Sequence, residues 1–354
     1  MTNPGAGILF ASDVKGLKMT ENFPQKEPYF IAEVGGNHGG DAEKAKEYVR
    51  AAADTGVDSV KFQLYRAETL ITRDREPLPL AGDEYDTQFE RFKSLELERS
   101  EWREIATLTE DLGMIFSASV FSKELANFAA ELSPFIKIAS GDLTNIPLLK
   151  HVSNIGKPIV MSTGFATDSE IREAFRAVDD NLLTLLHCIG SYPTEDEDVN
   201  LAFMSTLREQ FNVPVGYSDH TIGTLAVKSA VACGATVIEK HFTLDKSQEV
   251  GDHRLSANPV EMTEIVEDCN RIADMIGSGE RASTFEPETK IKTEMRRSLA
   301  TKRDIAAGET ITEDDLICLR PEIGLAPARY DDVLGAEAAT NISANTILTE
   351  EDLQ

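Results

Sequence analysis

Two hydrophobic rhythms alternate along this chain. Short runs rich in Val, Ile, Phe and Leu have strand length, and between them lie longer polar stretches whose apolar residues return every three or four positions. The runs are YFIAEVG (29–35), SVKFQLY (59–65), MIFSASV (114–120), FIKIAS (135–140), PIVMSTG (158–164), LLTLLHCIG (182–190), VPVGYSD (213–219) and TVIEKHFTL (236–244). The segments DAEKAKEYVRAAADTG (41–56), SEWREIATLTEDLG (100–113), DSEIREAFRAVDD (168–180) and TIGTLAVKSAVACG (221–234) predict amphipathic helices. Asp41, Ser100 and Asp168 are the expected N-caps, and Gly56, Gly113 and Gly234 the expected C-terminal stops. Eight βα units in succession predict an α/β fold, a (β/α)8 TIM barrel. An open doubly wound sheet fits less well: it uses fewer strands and more often carries a glycine fingerprint after the first, and AEVGGNHGG (32–40) is not GxGxxG.

Beyond the last barrel helix, near residues 261–276, the pattern breaks. GSGERASTFEPETK (277–290) is polar, contains Gly and Pro, and reads as a linker. The expected division is residues 1–280 for an N-terminal extension and the barrel, 281–294 for the linker, and 295–354 for a small C-terminal domain. That domain holds an internal repeat, DIAAGETITEDDL (304–316) against NISANTILTEEDL (341–353). Gly308 and Asn345 occupy the same place and suit a turn with positive φ, while Thr312 and Thr349 can each cap a short acidic helical turn.

A barrel places its chemistry at the C-terminal ends of the strands, and the unusual polar residues gather there. They are Glu33, Asn37 and His38, then Lys61 and Gln63, Ser117 and Ser119, Lys137 and Ser140, Ser162 and Thr163, His187, Ser191 and Tyr192, Ser218, Asp219 and His220, and finally Glu239 and His241. TVIEKHFTL is the sharpest case, since an unpaired charge inside a strand costs about 3 kcal/mol or more. Period-two alternation puts Val237, Glu239, His241 and Thr243 on one face, toward the barrel axis. His220 ends the neighbouring strand, so the two imidazoles with nearby carboxylates make a reasonable site for one divalent metal. A single such histidine would more simply satisfy a buried hydrogen bond; the pair favours metal. Lys61 and Lys137, beside Ser119, Ser140, Ser162 and Thr163, resemble an anion cradle, although one lysine inside a strand can also pair with a buried Glu or serve as a Schiff-base nucleophile. No Walker loop, HExxH or GxSxG occurs, so those mechanisms lack their signatures.

Charge narrows the partners. The 354 residues include 35 basic and 61 acidic side chains, a formal net of −26, which argues against a nucleic-acid or anionic-membrane surface. An anionic substrate then needs its own local basic pocket, and so acidic a surface suits a high-salt cytoplasm that screens self-repulsion. No run approaches the roughly 20 apolar residues of a membrane span, and residues 1–20 lack a basic start followed by an apolar core. A soluble, cytoplasmic protein is expected. Cys188, Cys233, Cys269 and Cys318 have no CxxC spacing and read as small core residues rather than disulfides or a zinc site.

AEVGGNHGG, VKFQ, KIASGD, MSTG, HCIGSYPT, GYSDHT, IEKHFTL and GDHRLS, in this order, resemble the sialic acid synthase family, the N-acetylneuraminate synthases, from about Tyr29 to the C-terminus. The repeat-bearing tail resembles the antifreeze-like (SAF) domain that ends those enzymes. The resemblance implies condensation of phosphoenolpyruvate with an open-chain N-acetylated amino sugar such as N-acetylmannosamine, and with water, to a nine-carbon 2-keto acid and phosphate. It implies a divalent ion, most often Mn2+ with Mg2+ or Co2+ as substitutes, held by His220 and His241. Glu33 would be the acid/base residue, with Glu239 as its acid/base or supporting partner. Lys61, Ser119, Lys137, Ser140, Ser162 and Ser218 would cradle phosphoenolpyruvate, and Gln63, Tyr192 and Asp252 would hold the sugar. Arg320 resembles the arginine that reaches the sugar's acyl group in a partner subunit, which implies a domain-swapped homodimer. One departure bears on the sugar: neuraminate synthases often read HCTNIYPT where this chain has HCIGSYPT, so Gly190 stands in an asparagine position. Legionaminic or pseudaminic acid synthesis from a 2,4-diacetamido trideoxyhexose is therefore the alternative. A synthase acting on a sugar phosphate, class I aldolase chemistry, and a non-enzymatic carbohydrate-binding tail on a retired barrel fit less of the motif set.

Overall fold

In the computed structural model, which describes residues 28–76, 85–248, 251–280 and 286–354, the predicted strands close on one another. They are β1 (Tyr29–Gly35), β2 (Ser59–Leu64), β3 (Ile115–Val120), β4 (Ile136–Ile138), β5 (Ile159–Ser162), β6 (Leu183–Cys188), β7 (Val215–Asp219) and β8 (Val237–His241). All run parallel in sequence order, and β1 returns to pair with β8 through Tyr29 opposite Val237 and Glu33 opposite His241. The chain is a TIM barrel followed by a second small unit. The N-terminal extension and residues 281–285 of the predicted linker lie outside the described residues.

Strand alternation gives the barrel wall two faces. Inward, Tyr29, Ile31, Phe135, Val160, Leu186 and Val237 form an apolar plug across the N-terminal part of the barrel. Outward, Phe30, Ala32 and Val34 of β1 pack with Ala45, Tyr48, Val49 and Ala52 of the helix Ala42–Ala53. Each fully buried Val, Leu, Ile or Phe in such layers stabilises by about 1.5–3 kcal/mol, so the plug makes a rigid floor beneath whatever sits above it.

Helix ends follow local chemistry, with two shifts from the sequence expectation. Asp41 caps its helix by accepting the N–H groups of Glu43 and Lys44 at 2.8 and 3.1 Å. The helix Arg99–Asp111 starts before Ser100, because the Glu101 carboxylate reaches back to the N–H of Glu98 at 2.7 Å. Thr167, not Asp168, caps Asp168–Arg176: Glu170 accepts the Thr167 N–H at 2.7 Å, and Asp168 instead accepts from Arg172 at 2.8 Å. Gly56, Gly113 and Gly234 end their helices at φ of +80°, +79° and +86°, where a Cβ would be strained.

The second unit spans Gly279–Gln354. Its first described element is the helix Glu286–Met295, within the stretch that reads as a linker, and β9 (Ser298–Thr301) pairs antiparallel with β10 (Leu316–Leu319). The repeat folds as a pseudo-dyad: Ile305 and Ile342 exchange both backbone hydrogen bonds at 2.8 Å. Gly308 and Asn345 take φ of +79° and +63°. In both short acidic turns the capping runs through the aspartate: Asp315 accepts from Thr312 N–H and Oγ1 at 2.7 Å, and Asp352 from Thr349 N–H and Oγ1 at 2.8 Å. Ile305, Ile311, Leu316, Ile342 and Leu348 are part of this unit's own core. Among the described residues no helix is long and apolar enough to cross a membrane.

Candidate active site

Above the apolar floor the inward positions turn polar. Register carries them around the ring: Glu33 sits beside Lys61 and His241, Ser119 beside Lys137, and Ser218 beside Glu239. They line a cavity of about 890 Å³ that also holds Gln63, Ser140, Ser162, Tyr192, His220 and Asp252. Every barrel residue expected to serve as acid/base, substrate or metal group by resemblance lines this one cavity, whereas Thr163, expected beside the two lysines, does not. Arg320 belongs to the other unit, where it is exposed at the end of β10.

Two lysines dominate the deep end. Lys61 Nζ bonds Glu33 Oε2 at 2.8 Å and Ser119 Oγ at 3.0 Å, with Glu239 Oε2 at 3.7 Å. Lys137 Nζ donates to Ser162 Oγ at 2.6 Å and to the Ile138 carbonyl at 2.8 Å, and its nearest carboxylate, Glu239 Oε2, is 3.9 Å away. Glu239 Oε1 accepts from Ser218 Oγ at 2.9 Å, while its Oε2 has no hydrogen-bond donor of its own.

These contacts separate the four charges. Burial pulls Lys137 down to about 8, because its close partners are neutral and Glu239 offsets only part of the cost. Burial acts on Lys61 in the same direction, but Glu239 and Glu33 together hold its pKa above the ordinary lysine value. Burial also raises Glu33; Lys61 opposes this, yet the neighbouring Glu239 charge adds to it, so the carboxyl stays above its ordinary value despite the ion pair. In Glu239 the sign reverses: burial favours the neutral acid, but Lys137, Lys61 and the Ser218 hydroxyl outweigh it and hold the carboxylate ionised. One carboxyl raised and its neighbour lowered is the separation that acid and base roles require.

Two imidazoles face each other higher in the cavity, with ring centres 5.3 Å apart. His220 Nδ1 lies 2.7 Å from the Ile189 carbonyl; a carbonyl only accepts, so in the neutral ring Nε2 holds the lone pair. His241 Nδ1 is buried without a hydrogen-bond partner, with Asp252 Oδ2 at 3.7 Å. Burial, and then the adjacent His220, keep His241 neutral well below the usual histidine range. Tyr192 stacks on His220 at 4.0 Å between ring centres. Among the described residues no three His, Cys, Asp or Glu side chains form a metal cage, so a cation here would have two imidazoles and open positions.

Several polar residues of the strand ends turn away from the cavity, since the neighbour of an inward position faces outward. His187 Nε2 donates to the Val199 carbonyl at 2.7 Å, His38 packs against Phe62 and Trp102, and Thr163 Oγ1 donates to the Leu186 carbonyl at 3.0 Å. Ser117 lies deep, bonded to the Val60 carbonyl at 3.2 Å. Asp219 and Lys240 form a buried pair on the outer face at 2.5 Å, so the lysine of TVIEKHFTL belongs to the wall and not to the site.

The sequence reading also missed cavity residues. Cys188, expected as simple core, shares the inward parity of Leu186 and places Sγ 3.6 Å from Ser140 Oγ. Phe165 takes φ +60° and exposes 69% of its surface at the mouth. Gly190 leaves room for it: a Cβ there would stand 2.1 Å from Phe165 Cε1. That explains a glycine at 190 through packing with a residue far away in sequence.

The mouth of this closed parallel barrel brings together two buried lysines, two buried carboxyls and two facing imidazoles, the arrangement of a barrel enzyme. Residues 48–281 match the NeuB family, residues 296–354 match the SAF domain, and the chain belongs to the NeuB family. It is similar to the N,N'-diacetyllegionaminic acid synthase of Legionella pneumophila, 39% identical over 92% of this chain and 94% of that protein. It is also similar to the N-acetylneuraminate-9-phosphate synthase of Mus musculus, 31% identical over 93% of this chain and 94% of that protein. Among solved structures, the N-acetylneuraminic acid (sialic acid) synthetase of Leptospira borgpetersenii in complex with citrate superposes with a TM-score of 0.67 at 31% identity, covering 75% of this chain and 90% of the other.

Proposed function

We propose that this chain is a nonulosonic acid synthase that joins phosphoenolpyruvate to an open-chain N-acylated amino sugar, adds water and releases phosphate. The observation that carries this is the buried cluster: Lys61 and Lys137 with the hydroxyls of Ser119 and Ser162, in which Lys137 has neutral close partners and its nearest carboxylate 3.9 Å away, leaving a cation to answer an anion inside a chain of net −26. A small anion is what such a pocket suits.

The reaction forms a bond between C3 of the enolpyruvyl group and the aldehyde carbon; the aldehyde oxygen takes a proton, water adds at C2, and phosphate leaves. Glu33, whose pKa burial and Glu239 raise against the pull of Lys61, is the residue to donate that proton or, once ionised, to accept one from water. Glu239 stays charged, holds Lys61 and Lys137 at the cradle and keeps Ser218 oriented. Gln63 Nε2, 3.4 Å from Glu33 Oε1, and Tyr192 and Asp252 near the imidazoles line the side left for the sugar. Ser140 Oγ accepts the Gly164 N–H at 3.1 Å and fixes the rim of the cradle.

His220 and His241 fit a divalent ion: the neutral tautomer of His220 frees Nε2, and His241 has a buried Nδ1 without a hydrogen-bond partner that burial keeps neutral. Burial lowers the His220 pKa, but Cys188 and the Ile189 carbonyl outweigh it and raise it, so an ion competes with a proton there. When bound, Mn2+, Mg2+ or Co2+ supplies Lewis acidity toward the aldehyde. Arg320, exposed in the C-terminal unit, supports the reading that a second copy of this chain completes the sugar site in a swapped homodimer.

Two sugars remain in play. The similarity to a legionaminic acid synthase and the apolar Phe165 ring at the mouth favour a 2,4-diacetamido trideoxyhexose, whose deoxy carbon and second acetamido methyl are apolar. N-acetylmannosamine is the second reading, favoured by the sialic acid synthetase structure. Phosphate release from phosphoenolpyruvate with Mn2+ and each sugar, at low and high KCl, tests both. Turnover with the diacetamido sugar is expected; turnover only with N-acetylmannosamine moves the product to neuraminate, and silence with both removes the assignment.

A further inference from the structure

The outer face of the barrel wall carries a polar cluster that the proposed reaction never touches. Lys240 Nζ donates to Asp219 Oδ2 at 2.5 Å and to the Thr221 carbonyl at 2.6 Å. Asp219 Oδ1 accepts from Tyr217 OH at 2.9 Å and from the Thr221 N–H at 3.0 Å, and Oδ2 accepts from Thr221 Oγ1 at 3.1 Å. Asp219 is 0% and Lys240 1% exposed. A buried ion pair adds little net stability over an apolar pair of similar volume, so its value here lies in geometry.

What it holds is specific. Three of its four members, Tyr217, Asp219 and Thr221, flank His220 on β7 and the turn after it, and the fourth, Lys240, immediately precedes His241 on β8. Because neighbours in a strand point to opposite faces, a clamp that locks 219, 221 and 240 outside the wall sets where 220 and 241 point inside it. Register agrees, with Asp219 directly opposite Lys240. On the inward side His220 is held by the Ile189 carbonyl, the Tyr192 ring and Cys188, whereas His241 Nδ1 has no hydrogen-bond partner and depends most on the backbone of β8.

We propose that the buried Asp219–Lys240 pair is the positioning device of the cation site, setting the separation and orientation of the His220 and His241 imidazoles for one divalent ion. This rests on reading those two histidines as cation ligands. Neither Asp219 nor Lys240 touches the ion or the substrates; they act through the backbone they join.

The test is Mn2+ binding to the full-length protein without substrates, read by loss of the free-ion EPR signal and by the spectrum of the bound ion. The paired variant D219L/K240M removes the charges together and so avoids leaving one buried and unpaired. It is expected to keep a cooperative thermal transition and wild-type affinity for phosphoenolpyruvate by calorimetry, while its Mn2+ Kd rises about 10- to 100-fold, the range for groups that orient metal ligands. Wild-type Mn2+ affinity and spectrum in that variant overturn the proposal. Should it fail to fold, Y217F, which removes one bond to Asp219 and leaves the ion pair, is expected to raise the Mn2+ Kd about threefold, less than the full loss of an orienting group because the pair stays; no change there overturns it equally. H220A and H241A separate the two ideas. If they bind Mn2+ as tightly as wild type, or wild type binds none, the ligand reading falls and takes the clamp with it; if they lose binding while D219L/K240M does not, only the clamp falls.

Discussion

Lys137 and Lys240 are each 1% exposed on opposite faces of the same barrel, and they are partnered in opposite ways. Lys240 has a carboxylate at 2.5 Å and a carbonyl at 2.6 Å, so its charge is matched within the chain. Lys137 has a hydroxyl at 2.6 Å, a carbonyl at 2.8 Å and a carboxylate only at 3.9 Å. Its depressed pKa reports a charge that the protein has desolvated without fully compensating. Burial therefore does not distinguish a structural lysine from a functional one; the surplus of charge left for a molecule from outside does.

The largest expected effect separates the two lysines by activity. K137M should lower kcat/KM for phosphoenolpyruvate about 100- to 1,000-fold, the scale of losing one preorganised charge-stabilising donor, in a steady-state phosphate-release assay. Near-normal turnover would place the anion elsewhere.

Stability should order them the other way. K240M leaves Asp219 charged and buried and should cost about 3–5 kcal/mol, whereas K137M removes a desolvated cation and should cost under about 1 kcal/mol; urea unfolding with both variants decides. Equal losses would erase the contrast.

A pH series sharpens it. Lys137 is charged below about 8 and neutral above, so the Kd for phosphoenolpyruvate should rise about tenfold per pH unit beyond that point, measured by calorimetry. The linkage to folding has the opposite sign. Between about 8 in the folded state and about 10.4 in the unfolded chain, the unfolded state binds the extra proton, so this group's contribution to stability rises with pH. Flat binding through pH 9 would mean that Lys61 alone carries the anion.

The smallest effect lies at the mouth. G190N places a side chain where the Phe165 ring sits, and should change the preference between the diacetamido sugar and N-acetylmannosamine about threefold to tenfold while leaving the KM for phosphoenolpyruvate unchanged. An unaltered ratio would remove Phe165 from sugar selection.

Much of the architecture is legible in the order of the amino acids. Eight apolar runs separated by helix-like stretches specify a parallel barrel because period-two and 3.6-residue patterns cannot satisfy each other's packing. The same alternation puts Glu239 and His241 inward. The tail's repeat is legible because the turns at 308 and 345 demand a left-handed residue.

Partnership is not legible in the same way. Nothing local shows that Lys240 answers Asp219 on the next strand while Lys61 answers Glu33 across the register, that His187 turns outward to Val199, or that Gly190 is small to admit Phe165. Sequence alone determined the barrel's elements and their order, because those depend on local sterics and periodicity. Tertiary structure decided which buried charge is matched and which is left over, because that depends on distances of a few ångströms between residues far apart in the chain, in a medium where such distances set the energy.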